Sequence, residues 1–154
     1  MNRRRPRRIA FLLAQLGSDA SAAFERALAP LGITPSDAGV LRLVGRNPGI
    51  SQKAVSEQLG VVPSRVVAVL DRLERQGHVE RRRSTADRRS HEVHLTAGGE
   101  RLLAALRPIA ESHEAAFTQG LGEEDLDRLA AYLEKIAASR GLSRDVHRET
   151  GGRG

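Results

Sequence analysis

Residues Val61–Leu103, "VVPSRVVAVLDRLERQGHVERRRSTADRRSHEVHLTAGGERLL", decide the fold. Pro63 suits the first position of a helix, where its missing N–H would be unpaired in any case. Gly77 suits the left-handed residue just past the end of one. Between them Val66, Val69, Leu70 and Leu73 recur at three and four residues and form one apolar face, while Ser64, Arg65, Val67, Ala68, Asp71 and Arg72 fall on the other. His78–Arg83 and Ser90–Leu95 then predict two paired strands. Val93 and Leu95 alternate with Glu92 and His94, and Ser84, Thr85 and Asp87 are turn formers between the strands. Thr96 can cap a further helix. Five arginines stand in the nine residues from Arg81 to Arg89, with Asp87 among them. Such a run repels itself unless something outside the chain neutralises it.

Upstream, "ITPSDAGVLRLV" predicts a helix capped by Thr34, with Pro35 at its first position and Asp37 in its first turn, buried through Val40, Leu41 and Val44. "RNPG" stops it. "SQKAVSEQLG" predicts a short helix from Ser51 that ends at Gly60. The N-terminal "MNRRRPRRIAFLLAQLGSDASAA" imitates an export signal, with a basic start, an apolar run and small residues beyond. Its periodicity, however, continues through Phe24, Leu28 and Leu31, which predicts one amphipathic helix up to about Gly32. No run is long enough to cross a bilayer, so the expectation is a cytoplasmic protein with no membrane partner. Downstream, Leu102, Leu103, Leu106, Ile109, Ala110, His113 and Phe117 form the stripe of a long helix. Leu126, Leu129, Leu133 and Ile136 form that of a last one, entered through Leu121 and Gly122. The polar, Gly-rich tail from Arg140 predicts disorder.

The 154 residues suit one domain or two interdependent lobes. A core is affordable at 40% hydrophobic residues, but with three Phe, one Tyr and no Trp it must be built of Leu, Val and Ala. The formal charge is +6, with basic side chains overwhelmingly arginine, which points to nucleic acid or an acidic surface as partner. The absence of cysteine excludes disulfides, thiolate metal sites and Cys nucleophiles. No nucleophile with a neighbouring base emerges, and no Gly-rich phosphate cradle follows a strand, so an enzyme is not expected. No cofactor is expected either.

Three short helices and a two-stranded hairpin follow the order of a winged helix-turn-helix. A major groove admits one helix, a compact bundle holds that helix protruding, and the most basic loop of the chain falls where the wing must be. The fold class expected is mainly α with a small β-hairpin wing. A winged helix-turn-helix lobe over residues 34–96 is joined to dimerisation helices at 9–33 and 97–139, with tails at 1–8 and 140–154.

From about Ile9 to about Ala138 the chain resembles the MarR (multiple antibiotic resistance regulator) family of bacterial transcription factors. The markers are "LDRLERQGHVERR", Asp87-Arg88-Arg89 in the wing, and Leu95-Thr96 before a long helix. The resemblance implies a homodimer whose first, fifth and sixth helices intertwine on a pseudo-palindromic double-stranded operator, and a small-molecule effector at the lobe junction that relieves repression. It implies that Pro63, Ser64, Arg65, Val67 and Ala68 face bases and phosphates, that Ser51 and Gln52 lie near the backbone, and that Arg89 enters the minor groove. Arg72, Arg81, Arg83 and Arg88 complete the expected DNA-binding set. The family often has Thr-Arg where this chain has Val67 and Ala68, which leaves apolar surface for thymine methyls and makes Arg65 the leading base reader.

Simpler readings stand beside these. The wing arginines can be a solvated loop and Asp87 a turn former, which is compatible with the role the resemblance implies for Asp87, a brace that hydrogen-bonds Arg89. Arg3, Arg4, Arg5, Arg7 and Arg8 read as a tail of nonspecific affinity. His113, flanked by Glu111 and Glu114, suggests a packed or interface histidine before a metal ligand. The alternatives to a repressor are a winged-helix interaction module for RNA or a protein partner, and a metal-responsive regulator of the same family.

Overall fold

The structure, a computed structural model, describes residues 8–84 and 90–142. Its helices are α1 (Ile9–Leu28), α2 (Pro35–Arg46), α3 (Gln52–Leu59), α4 (Pro63–Arg75), α5 (Ala97–Phe117) and α6 (Glu123–Ser139), and a 3-10 turn at Ala29–Leu31 follows α1. The strands are β1 (Ile50–Ser51), β2 (Val79–Arg83) and β3 (His91–Leu95). The sheet is antiparallel in the order β1-β3-β2, with Val93 opposite both Ile50 and Arg81. The expected hairpin is present. The third strand, β1, was not foreseen: Ser51 is both its second residue and the cap of α3, accepting from the Ala54 N–H at 3.1 Å.

Each lobe helix begins and ends for a local reason. Thr34 and Asp37 form a reciprocal capping box on α2, with the Asp37 N–H donating to Thr34 Oγ1 at 3.2 Å and the Thr34 N–H to Asp37 Oδ2 at 2.8 Å. The α4 helix starts at Pro63 and closes through Gly77, at φ 75°, whose N–H and that of His78 return to Glu74 and Leu73 carbonyls at 2.9 Å. Thr96 caps α5 and also donates to the Gly77 carbonyl at 2.5 Å, pinning the long helix to the turn between α4 and β2. That junction demands Gly99: a Cβ there would lie 1.9 Å from the His78 carbonyl oxygen.

The core sits inside the lobe. Val40, Leu41, Val44, Val55, Val66, Leu70, Leu73, Val79 and Val93 are buried at 2% exposure or less, and Leu102 and Leu106 bring α5 onto them. Burying a side chain of this size contributes about 1.5–3 kcal/mol, so these few residues hold the lobe together. Outside it, α1 buries only Leu28 and α6 buries nothing. No helix among the described residues is long and apolar enough to cross a membrane.

Candidate nucleic-acid interface

The core stripe of α4 fixes what its opposite face presents. With Val66, Val69, Leu70 and Leu73 turned inward, Pro63, Ser64, Arg65 and Ala68 are exposed and Val67 is half-buried. Val62, 64% exposed, leads into this end without a side-chain cap, and its carbonyl accepts from the Arg65 N–H at 3.0 Å. Ser51 and Gln52 are half-buried at the start of α3. On the wing, Arg82 and Arg83 are exposed at the far end of β2, and Arg82 meets Glu80. Arg88, Arg89 and the proposed brace Asp87 lie outside the described residues.

Two residues expected at DNA have partners that the sequence reading did not give them. Arg72 reaches back to α2, where Asp37 is fully buried, donating to Asp37 Oδ1 from Nε at 3.2 Å and from Nη2 at 2.5 Å. Arg81 turns from β2 onto α4. It donates to Glu74 Oε2 from Nε at 3.0 Å and from Nη2 at 2.5 Å, and to Asp71 Oδ1 from Nη2 at 2.6 Å. Its backbone N–H adds a bond to Glu74 Oε1 at 3.0 Å. The Arg81 side chain bonded to Glu74 holds that carboxyl below the usual carboxylate range, helped by the backbone bond, and Glu74 in turn raises Arg81. The signal for this pair was present in sequence: Asp71 and Glu74 are three apart on one helix face, and the tight turn at Gly77 returns the chain beside them.

Elsewhere on the sheet, Glu92 is held low, first by its bond from Ser84 and then by His94, whose Nε2 lies 3.4 Å away. The His113 ring packs between Phe24, at 5.2 Å between centroids, and Phe117, at 6.2 Å, which joins α5 to α1. Among the described residues no group of three His, Cys, Asp or Glu is placed to hold a metal ion. Two clefts border the lobe. One of about 570 Å³ lies between α1, α2 and α4, and one of about 480 Å³ between α1, α2 and α5; Phe24 and Arg42 line both.

A protruding helix with a cationic tip, a basic hairpin beside it and a long helical support define a winged helix-turn-helix protein. Residues 31–90 match the model of the MarR family, and the chain belongs to that family, whose members are transcriptional regulators and not enzymes. The transcriptional regulator HosA of Escherichia coli O157:H7 is 33% identical over 104 residues, covering 68% of this chain and 77% of HosA. A putative transcriptional regulatory protein for the hcr operon of Thauera aromatica is 30% identical over 105 residues, 68% of this chain; the match spans 63% of that protein, just under two thirds of its length. Among solved structures, the transcriptional repressor CouR bound to a 23-mer DNA duplex superposes with a TM-score of 0.78 at 35% identity, covering 83% of this chain and 91% of that one. CouR from Rhodococcus jostii RHA1 bound to p-coumaroyl-CoA gives 0.75 at 27% identity, covering 88% and 96%.

Proposed function

We propose that the chain is a homodimeric, sequence-specific DNA-binding transcriptional regulator, a cytoplasmic repressor relieved by a small molecule. The observation that carries this reading is the exposed first half of α4, where Pro63, Ser64 and Arg65 stand at the surface, on a chain that also exposes Arg82 and Arg83 at the far end of β2. A helix of this kind reads base edges in the major groove, and Arg65 is the side chain suited to guanine. Val67 and Ala68 offer apolar contact to thymine methyls. Ser51 and Gln52 take the backbone, Arg83 and Arg88 supply phosphate affinity, and Arg89, braced by Asp87, takes the minor groove.

Dimerisation is supported by what the single chain leaves uncovered. Ile9, Phe11, Leu12 and Leu16 on α1, with Leu129, Tyr132, Leu133 and Ile136 on α6, are all exposed. A patch of this kind on a stable protein marks an interface, and a two-fold partner covers it with its own copy. The effector reading is supported by the two clefts, because each combines the Phe24 ring with arginine side chains, which suits an anion with an apolar body. Occupancy would favour a separation of the two recognition helices unlike the roughly 34 Å of successive grooves.

The test is fluorescence anisotropy with duplex from the chain's own upstream intergenic region against random duplex of equal length. Tight, footprinted binding to the first is expected. Equal affinity for both would overturn the reading.

A further inference from the structure

Apolar packing holds α4 against the lobe through Val66, Val69, Leu70 and Leu73, and directional bonds further constrain its rotation and tilt. Asp71, Arg72 and Glu74, in the second half of α4, make such bonds. On one side stands Asp37. Its Oδ2 is taken by the Thr34 N–H and hydroxyl, at 2.8 and 2.9 Å, and its Oδ1 by Arg72. This carboxylate is fully buried and bonded at both oxygens, so Arg72 is tied to the first turn of α2. On the other side Arg81 joins β2 to Asp71 and Glu74, one helical turn apart, with its backbone fixed to the same Glu74 carboxylate. Recognition helix, wing strand and α2 are thereby linked, and Arg65 is exposed in the first half of the same helix.

We propose that Arg72 and Arg81 are positioning residues that act through Asp37, Asp71 and Glu74 to aim the recognition helix and the wing together, and that this aim sets operator selectivity. The proposal rests on the DNA-binding reading above. It also explains why three carboxylates stand on or against a helix offered to a polyanion. As free charges Asp71 and Glu74 would oppose DNA; as acceptors for Arg81 they set a direction.

Electrostatics and aim predict opposite signs, which makes the test sharp. The full chain is purified as wild type, Glu74→Gln, Arg81→Gln and the swap Glu74→Arg with Arg81→Glu, and each is titrated with upstream and random duplex over a salt series. Both single variants are expected to lower the ratio of upstream to random affinity by about tenfold with the salt slope unchanged. The swap is expected to recover part of that ratio. The proposal is overturned if Arg81→Gln weakens both duplexes alike and flattens the slope by about one per protomer, and Glu74→Gln tightens both; Arg81 would then be a phosphate contact. Amide hydrogen exchange without DNA is the second readout. Faster exchange in both β2 and the last turn of α4 is expected in Arg81→Gln, with α6 unaltered, and no change in either element would sink the proposal even if wild type showed no duplex preference. Arg81→Lys, which keeps the charge and loses the two-pronged geometry, replaces Arg81→Gln should the latter fail to fold.

Discussion

The lobe and the helices α1 and α6 use the same heptad-like apolar stripes to opposite ends. In α4 the stripe of Val66, Val69, Leu70 and Leu73 is buried within its own chain, whereas the α1 stripe from Ile9 to Leu16 and the α6 stripe from Leu129 to Ile136 are exposed. Periodicity therefore announces that a face will be covered and says nothing of what covers it. The lobe carries its own lid in α5 and the sheet. For α1 and α6, a second copy of the chain is the cover proposed.

The largest effect that separates the two regions is a cavity in the lobe. Leu70→Ala, at a side chain with no exposure, is expected to lower stability by about 2–5 kcal/mol in urea unfolding. A loss below 1 kcal/mol would show that the lobe is less closely packed than its burial implies. Next comes Leu16→Glu on α1, half exposed in the single chain. It is expected to shift sedimentation towards monomer and to lower upstream-duplex affinity by roughly a hundredfold, because two linked half-site contacts become one. Retained dimers with unchanged affinity would place the interface elsewhere.

A smaller effect probes the seam between the regions, where α5 leaves the lobe. Gly99→Ala puts a Cβ against the His78 carbonyl, a backbone atom that cannot swing aside, and is expected to destabilise by about 1–3 kcal/mol. Gly45→Ala meets the end of the Leu103 side chain at 2.5 Å, which can rotate away, so its expected loss is smaller. Reversal of that order in thermal unfolding would mean that the α5 junction yields more readily than the α2–α5 contact.

Much of this arrangement was legible in the sequence, and the reasons are local. Thr34-Pro35 with Asp37, Gly60, Gly77 and Thr96 each settle a helix end within a few residues, and the alternation at Val93 identified the wing strand. The strand β1 was not legible because two residues have no period; Ile50 and Ser51 are a strand only by pairing with Val93 and Glu92. The partner of Arg72 was hidden for a different reason. Asp37 is 35 positions away, and its visible role as the acidic residue of a capping box accounts for only one of its oxygens. The carboxylate partners of Arg81 are nearer in the chain, at Asp71 and Glu74 on one helix face, whereas nothing local in the sequence points from Arg72 to Asp37.

The subtlest prediction uses pH to test whether the helix–wing link belongs to the folded lobe. Glu74 is held below its ordinary value by Arg81, first through the side chain and then through the backbone N–H. A carboxylate depressed in this way contributes stability that is fully present above its unfolded value, about pH 4.3, and is lost as pH falls through the lower folded value. Unfolding of wild type and Glu74→Gln should therefore differ by a constant amount from neutral pH down to about pH 4.3, and the two should converge below it. The Glu74 side chain is 37% exposed, so solvent screening keeps the difference small, and added salt should shrink it further. Urea midpoints taken through this range give the answer. A difference that stayed constant below the unfolded value would mean that Glu74 acts by shape rather than charge, whereas convergence would show that the wing and recognition helix are joined by an ion pair formed only when the lobe folds.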